Sequence, residues 1–163
     1  MAQETPHLRE TLGVTPAAMA SLLITGHGLY EQGRMEDARK IFQGVLLLDE
    51  TNPYAHAMLG AIHQKQGAIE QAVEFYSESI KLHPKDISTL TNRGECNLTL
   101  GRLLEAAADL KAAIALDVDG KNVAANRARF LAAVTLEALK LAEEKGVQAV
   151  LDAKRRIDEQ LAV

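Results

Sequence analysis

Apolar residues recur along this chain at intervals of three and four, the spacing that lines one face of an α-helix, and the runs are short and broken by Gly or Pro. Thr15-Pro16 and Asn52-Pro53 each set a capping side chain before a proline at the first helical position, where its missing N–H costs no helical hydrogen bond. Asp86 caps a third start, and His83-Pro84 ends the preceding helix because proline disfavours helical backbone in the residue before it. The pattern predicts helices over 16–32, 35–49, 53–66, 69–82, 87–100 and 103–117. Val123, Phe130, Leu131, Val134, Leu136, Leu139 and Leu141 carry the same periodicity through 121–145, where a terminal helix with one polar side would close the stack. Gly146 interrupts it, and 147–161 form a further amphipathic helix with Val147, Val150, Leu151, Ile157 and Leu161 on one side and Lys154-Arg155-Arg156 on the other. At the front, Thr5-Pro6 and Gly13 bracket a short helix expected to fold onto the first pair or to meet another chain.

The helix pairs repeat with a period of 34 residues. Gly26, Gly60 and Gly94 keep this interval, as do Gly33, Gly67 and Gly101, then Ala38, Ala72 and Ala106, then Phe42, Tyr76 and Leu110; Ile41, Phe75 and Asp109 follow with one polar lapse. That period belongs to the tetratricopeptide repeat, a helix-turn-helix unit. The first Gly of each unit lies inside a helix, where it costs about 1 kcal/mol against Ala unless a neighbour must approach closely. The alanines are expected to face it, with the large residues one turn further on. The second Gly suits the left-handed position that ends a helix. The expected fold is all-α: a right-handed superhelical solenoid of three tetratricopeptide repeats (19–52, 53–86, 87–120), with an N-terminal helix and linker over 1–18 and capping helices over 121–163.

Composition excludes several functions. With 163 residues, 47% hydrophobic and 25% charged, the chain has material for a core without metals or disulfides. Cys96 is the single cysteine and fits a reducing compartment. The N-terminus lacks the pattern of a signal peptide and no apolar run is long enough to span a bilayer, so a cytoplasmic protein without membrane insertion is expected. A net charge of −4 with 4% aromatic residues argues against nucleic-acid binding.

No catalytic constellation is present in the sequence. Only His56 and His63, among His7, His27, His56, His63 and His83, share a helix face, and no acid or Cys joins them at ligand spacing, so neither metal nor cofactor is expected. Gly26-His27-Gly28 has no preceding strand to make a phosphate loop, and Cys96 lacks a base beside it. The informative surface is the concave one, lined by the second, fifth, ninth and twelfth places of each repeat: Ala20, Leu23, His27 and Tyr30; Tyr54, Ala57, Ala61 and Gln64; Ser88, Thr91, Glu95 and Leu98. These are apolar and aromatic groups with few charges, which suits an extended apolar peptide rather than a terminal carboxylate. The competing expectation is that some of them contact the chain's own N-terminal helix.

Glu36-Asp37-Ala38-Arg39-Lys40-Ile41-Phe42-Gln43 followed by Leu47-Leu48-Asp49 resembles the first repeat of the class II chaperones of type III secretion, the LcrH/SycD-like family. Leu59-Gly60-Ala61 with Gln64 and Gly67 is similar to the family's second repeat, Gly94-Glu95-Cys96 before Gly101 to its third, and Leu136-Glu137-Ala138-Leu139 to its closing helix. The resemblance implies a small, acidic, cytoplasmic chaperone without ATPase activity. It implies a groove that holds a hydrophobic translocator client by an extended segment, with Leu23, His27, Tyr30, Tyr54, Ala57, Ala61, Gln64 and Leu98 lining it. It also implies a homodimer formed through the N-terminal region. His27 stands where the family commonly has an aromatic residue, and the basic helix after Gly146 is longer than its usual tail. The alternative is a general repeat adaptor that joins folded proteins through its convex face or its C-terminal helix.

Overall fold

A computed structural model describes residues 8–146, 148–150, 152 and 155. Among these, eight helices follow one another: α1 (Leu8–Thr11), α2 (Pro16–Glu31), α3 (Met35–Leu48), α4 (Pro53–Lys65), α5 (Ile69–Leu82), α6 (Ile87–Thr99), α7 (Leu103–Leu116) and α8 (Val123–Lys145). The expected helix ends fall within two residues of these. The start of α8 moves from 121 to 123 because Gly120 turns the chain at φ +71° and the Asn122 side chain accepts from the Ala125 amide at 3.1 Å. Thr15, Asn52 and Asp86 cap α2, α4 and α6 in the same way, accepting from Ala18, Ala55 and Thr89 at 3.2, 3.0 and 2.6 Å. The helix expected over 147–161 lies largely outside the described residues; 148–150, 152 and 155 are helical.

Within each repeat the turn between helices is built by the second glycine. Gly33, Gly67 and Gly101 have φ of +76°, +78° and +72°, a region that disfavours side chains. The next amides, of Arg34, Ala68 and Arg102, return to the carbonyls of Leu29, His63 and Asn97 at 2.9 Å each, the six-to-one bond of a Schellman stop. The first glycine does something else. A Cβ on Gly26, Gly60 or Gly94 would stand 2.8 Å from Phe42 Cζ, 2.7 Å from Tyr76 Cδ1 and 2.9 Å from Leu110 Cγ. The large column therefore abuts the glycines directly, where the alanines were expected; Ala38, Ala72 and Ala106 are fully buried but are not the nearest groups.

The chain divides into two compact units, Met1–Pro84 and Lys85–Val163. In the first, α2 packs on α3, α3 on α4 and α4 on α5, over a core that includes Met19, Phe42, Val45, Leu59 and Ile62; α1 rests on α3. In the second, α6 packs on α7, and α8 lies against both. Its core of Leu90, Cys96, Leu103, Leu110, Ala125 and Leu131 also holds charge. Asp109 accepts from Arg93 Nε at 2.9 Å and Nη2 at 2.6 Å, and from Asn97 at 3.3 Å, which accounts for the polar lapse in its column. Asp117, nearly all of its side chain buried, accepts from Arg129 at 2.8 Å and from the Asn122 amide at 3.1 Å.

Candidate peptide-binding surface

In the first unit, two turns of α2 and the start of α4 border an open apolar pocket of about 370 Å³, lined by Ala20, Leu23, Ile24, His27 and Tyr54. Its wall is fixed by polar contacts at the rim. Tyr54 Oη lies 2.8 Å from His27 Nδ1, and His27 Nε2 lies 3.5 Å from a Glu31 oxygen. One tautomer satisfies both contacts: with hydrogen on Nε2, the imidazole faces Glu31 as a donor and accepts from the tyrosine hydroxyl. The Tyr54 ring also meets Phe42 edge-on, centroids 6.2 Å apart. Burial, with a smaller contribution from the Glu31 charge, pushes the Tyr54 hydroxyl above its ordinary pKa, so it stays a donor. Helix α1, as described, packs on α3 and leaves this pocket open.

Further along the same helices the surface is more charged than the sequence suggested. Lys65 Nζ sits 4.5 Å from the centre of the half-buried Tyr30 ring, a cation–π contact. Gln64 accepts from the Tyr76 hydroxyl at 2.8 Å, which ties this surface to the core. Ala57 and Ala61 are half-buried, without bulk to obstruct a peptide backbone.

The second unit holds Ser88, Thr91, Glu95 and Leu98 differently. Thr91 is fully buried, donating to Ile87 O at 2.8 Å with Ala124 O at 3.3 Å, so the first turn of α8 covers it. Glu95 is ion-paired with Arg127 of α8, whose Nη2 also donates to Asn92 at 3.1 Å. Leu98 is half-buried and Ser88 exposed. Ile24, Lys65 and Arg127 thus join the candidate surface although the four-place rule omits them. Ile24, 73% exposed, was legible as an apolar residue on an exposed turn; the other two depend on tertiary contacts.

The remaining candidates have structural partners. His63 stacks on Phe75 with centroids 5.1 Å apart, and His56 flanks the same ring at 6.3 Å; burial, then the Arg39 charge, lowers the His63 pKa. Among the described residues no group of three or more His, Cys, Asp or Glu is placed to hold a metal ion. Burial pushes the Cys96 thiol up to about 12. No described helix is long and apolar enough to cross a membrane.

Residues 29–93 match the tetratricopeptide repeat family model. The chain is 32% identical over 115 residues to Low calcium response locus protein H of Yersinia pestis, covering 71% of this chain and 67% of that protein. It aligns at a TM-score of 0.68 and 28% identity with the Yersinia enterocolitica type III secretion chaperone SycD, solved in complex with a peptide of the translocator YopD; the alignment covers 80% of this chain and 98% of that one. A match of 35% identity over 89 residues to U-box domain-containing protein 70 of Oryza sativa subsp. japonica spans 55% of this chain and only 11% of that protein. The repeat turns, the closing helix over α6 and likeness along nearly the whole of a solved relative lead to one assignment: the chain belongs to the LcrH/SycD-like family of class II type III secretion chaperones, built on the tetratricopeptide repeat.

Proposed function

We propose that this chain is a non-enzymatic, cytoplasmic chaperone that holds an extended apolar segment of a secreted translocator-type client against the α2 and α4 surface. The observation that carries the reading is the open pocket of Ala20, Leu23, Ile24, His27 and Tyr54, an apolar recess whose aromatic wall is already held by hydrogen bonding. Such a recess removes an aliphatic anchor from water, and a preset wall spares the ordering cost on binding. Tyr30, Ala57, Ala61 and Gln64 continue the track; in the second unit Leu98 and the Glu95–Arg127 pair are the accessible contacts. No bond is made or broken, so aggregation of the client is prevented by occupancy alone. A homodimer through the N-terminal region belongs to the same proposal.

Co-expression with a translocator-type protein from the same source, followed by affinity purification, tests this. Ile24→Asp, which places a charge at the mouth of the pocket, should reduce client recovery at least about tenfold, because a buried unpaired charge costs several kcal/mol. Leu104→Asp, equally exposed at 73% but on α7, should leave recovery unchanged. Equal recovery with both variants, at unchanged helical content, would place the client elsewhere.

A further inference from the structure

Helix α8 packs on α6 and α7 and buries Ala125, Ala128, Leu131 and Thr135. A second line of residues runs along the same helix at alternating steps of four and three: Val123, Arg127, Phe130, Val134, Glu137 and Leu141. At 3.6 residues per turn it lies well round the helix from the buried one. Val123 is 82% and Phe130 69% exposed; Arg127, Val134 and Glu137 are exposed and Leu141 is half-buried. Steps of four and three are the stripe that two helices share when they wind about each other. We propose that this stripe pairs with that of a second copy of the chain, antiparallel, about a two-fold axis beside Ala132.

Charge selects both the occupant and the direction. The stripe carries one cation and one anion, Arg127 and Glu137, placed equally far on either side of Ala132. About an axis there, Arg127 meets Glu137 of the second copy, Phe130 meets its Val134 and Val123 meets its Leu141. Every member thus finds a complementary partner within the helix, the self-complementarity that an isologous interface requires. Parallel pairing would set Arg127 on Arg127 and Glu137 on Glu137, which like-charge repulsion opposes. The flanks agree: Ala133 beside the axis is small, and Lys140 comes opposite Asn126 rather than a second cation. Arg127 is also held in place for the contact. Its Nη2 donates to Asn92 at 3.1 Å and pairs with Glu95. The described bonds use that nitrogen alone, and a guanidinium has five N–H groups with which to meet a further carboxylate.

Engineered cysteines test the register in the full chain, whose native Cys96 is buried. A mixture of Val123→Cys chains and Leu141→Cys chains should form a disulfide between the two on mild oxidation. Neither variant alone should do so, because two copies of position 123 would stand about 27 Å apart along the helices at 1.5 Å per residue. No cross-link in the mixture overturns the proposal, in favour of a stripe covered from within the chain; equal cross-linking of Val123→Cys alone overturns it in favour of parallel pairing. Glu137→Arg, introduced into both chains, sets cation against cation and should lower the mixed yield at least about tenfold, whereas Leu136→Arg, on another face of the same helix, should leave it unchanged. Equal yields from these two variants also overturn the proposal. Neither readout involves a client, so either can fail while the client site on α2 and α4 stands.

Discussion

Tyr76 lies with its ring against the backbone of Gly60, so close that a methyl group on that glycine would stand 2.7 Å from Cδ1. The same substitution should therefore change sign with position. Gly60→Ala gains about 1 kcal/mol of helix propensity but forces apart a core contact, an overpacking that costs about 1–3 kcal/mol, and the variant should melt earlier. Gly44, inside α3, has nothing within 4 Å of its added Cβ. Gly44→Ala should raise stability by about 0.5–1 kcal/mol. Urea unfolding of the two variants checks this, and a stabilised Gly60→Ala would mean the ring yields freely.

Acid should weaken the second unit through Asp117. Burial alone would raise the pKa of this carboxyl, but the Arg129 guanidinium and the amides of Asn122 and Lys121 outweigh it and hold it below the ordinary carboxylate value. A carboxyl depressed on folding stabilises above its unfolded pKa, and that contribution disappears as pH falls through the folded value. Arg129→Met should lower stability near pH 7 and flatten the decline between about pH 5 and pH 3, measured by urea melts at several pH values. Parallel curves for the two proteins would show that Arg129 contributes nothing to the carboxyl's ionisation.

Cys96 should be silent toward thiol reagents while the protein is folded. Its side chain has no solvent exposure and its thiol is pushed up to about 12, so at neutral pH almost none is present as the reactive thiolate. Titration with a chromogenic disulfide should show no fast reaction in buffer and one equivalent in denaturant. A fast native reaction would reveal opening of the α6–α7 core.

The helix pairs were legible because their punctuation is local. A cap and a proline, or a glycine with positive φ followed by a six-to-one bond, act within a few residues and need no knowledge of the rest. Relations across helices were not legible in the same way. Asp109 occupies the column of Ile41 and Phe75 as an apparent error until Arg93, on the preceding helix, is seen to receive it. Thr91 fits the groove positions by counting, yet α8 covers it, and nothing in the spacing says that the closing helix begins with its backbone at that hydroxyl. The His27–Tyr54 contact spans 27 residues and joins two positions that counting had placed on the surface separately.

Helices α2, α4, α6 and α8 each begin with a side chain that bonds their own first turn, while α3, α5 and α7 begin at Arg34, Ala68 and Arg102 with no such bond. The latter three are launched by the glycine turn that ends their predecessor. The molecule is thus jointed unevenly. A cut or an inserted loop between hairpins leaves every start signal intact, whereas one inside a hairpin orphans the helix that follows, so lengthening by duplication has its natural seams at Thr15, Asn52, Asp86 and Asn122.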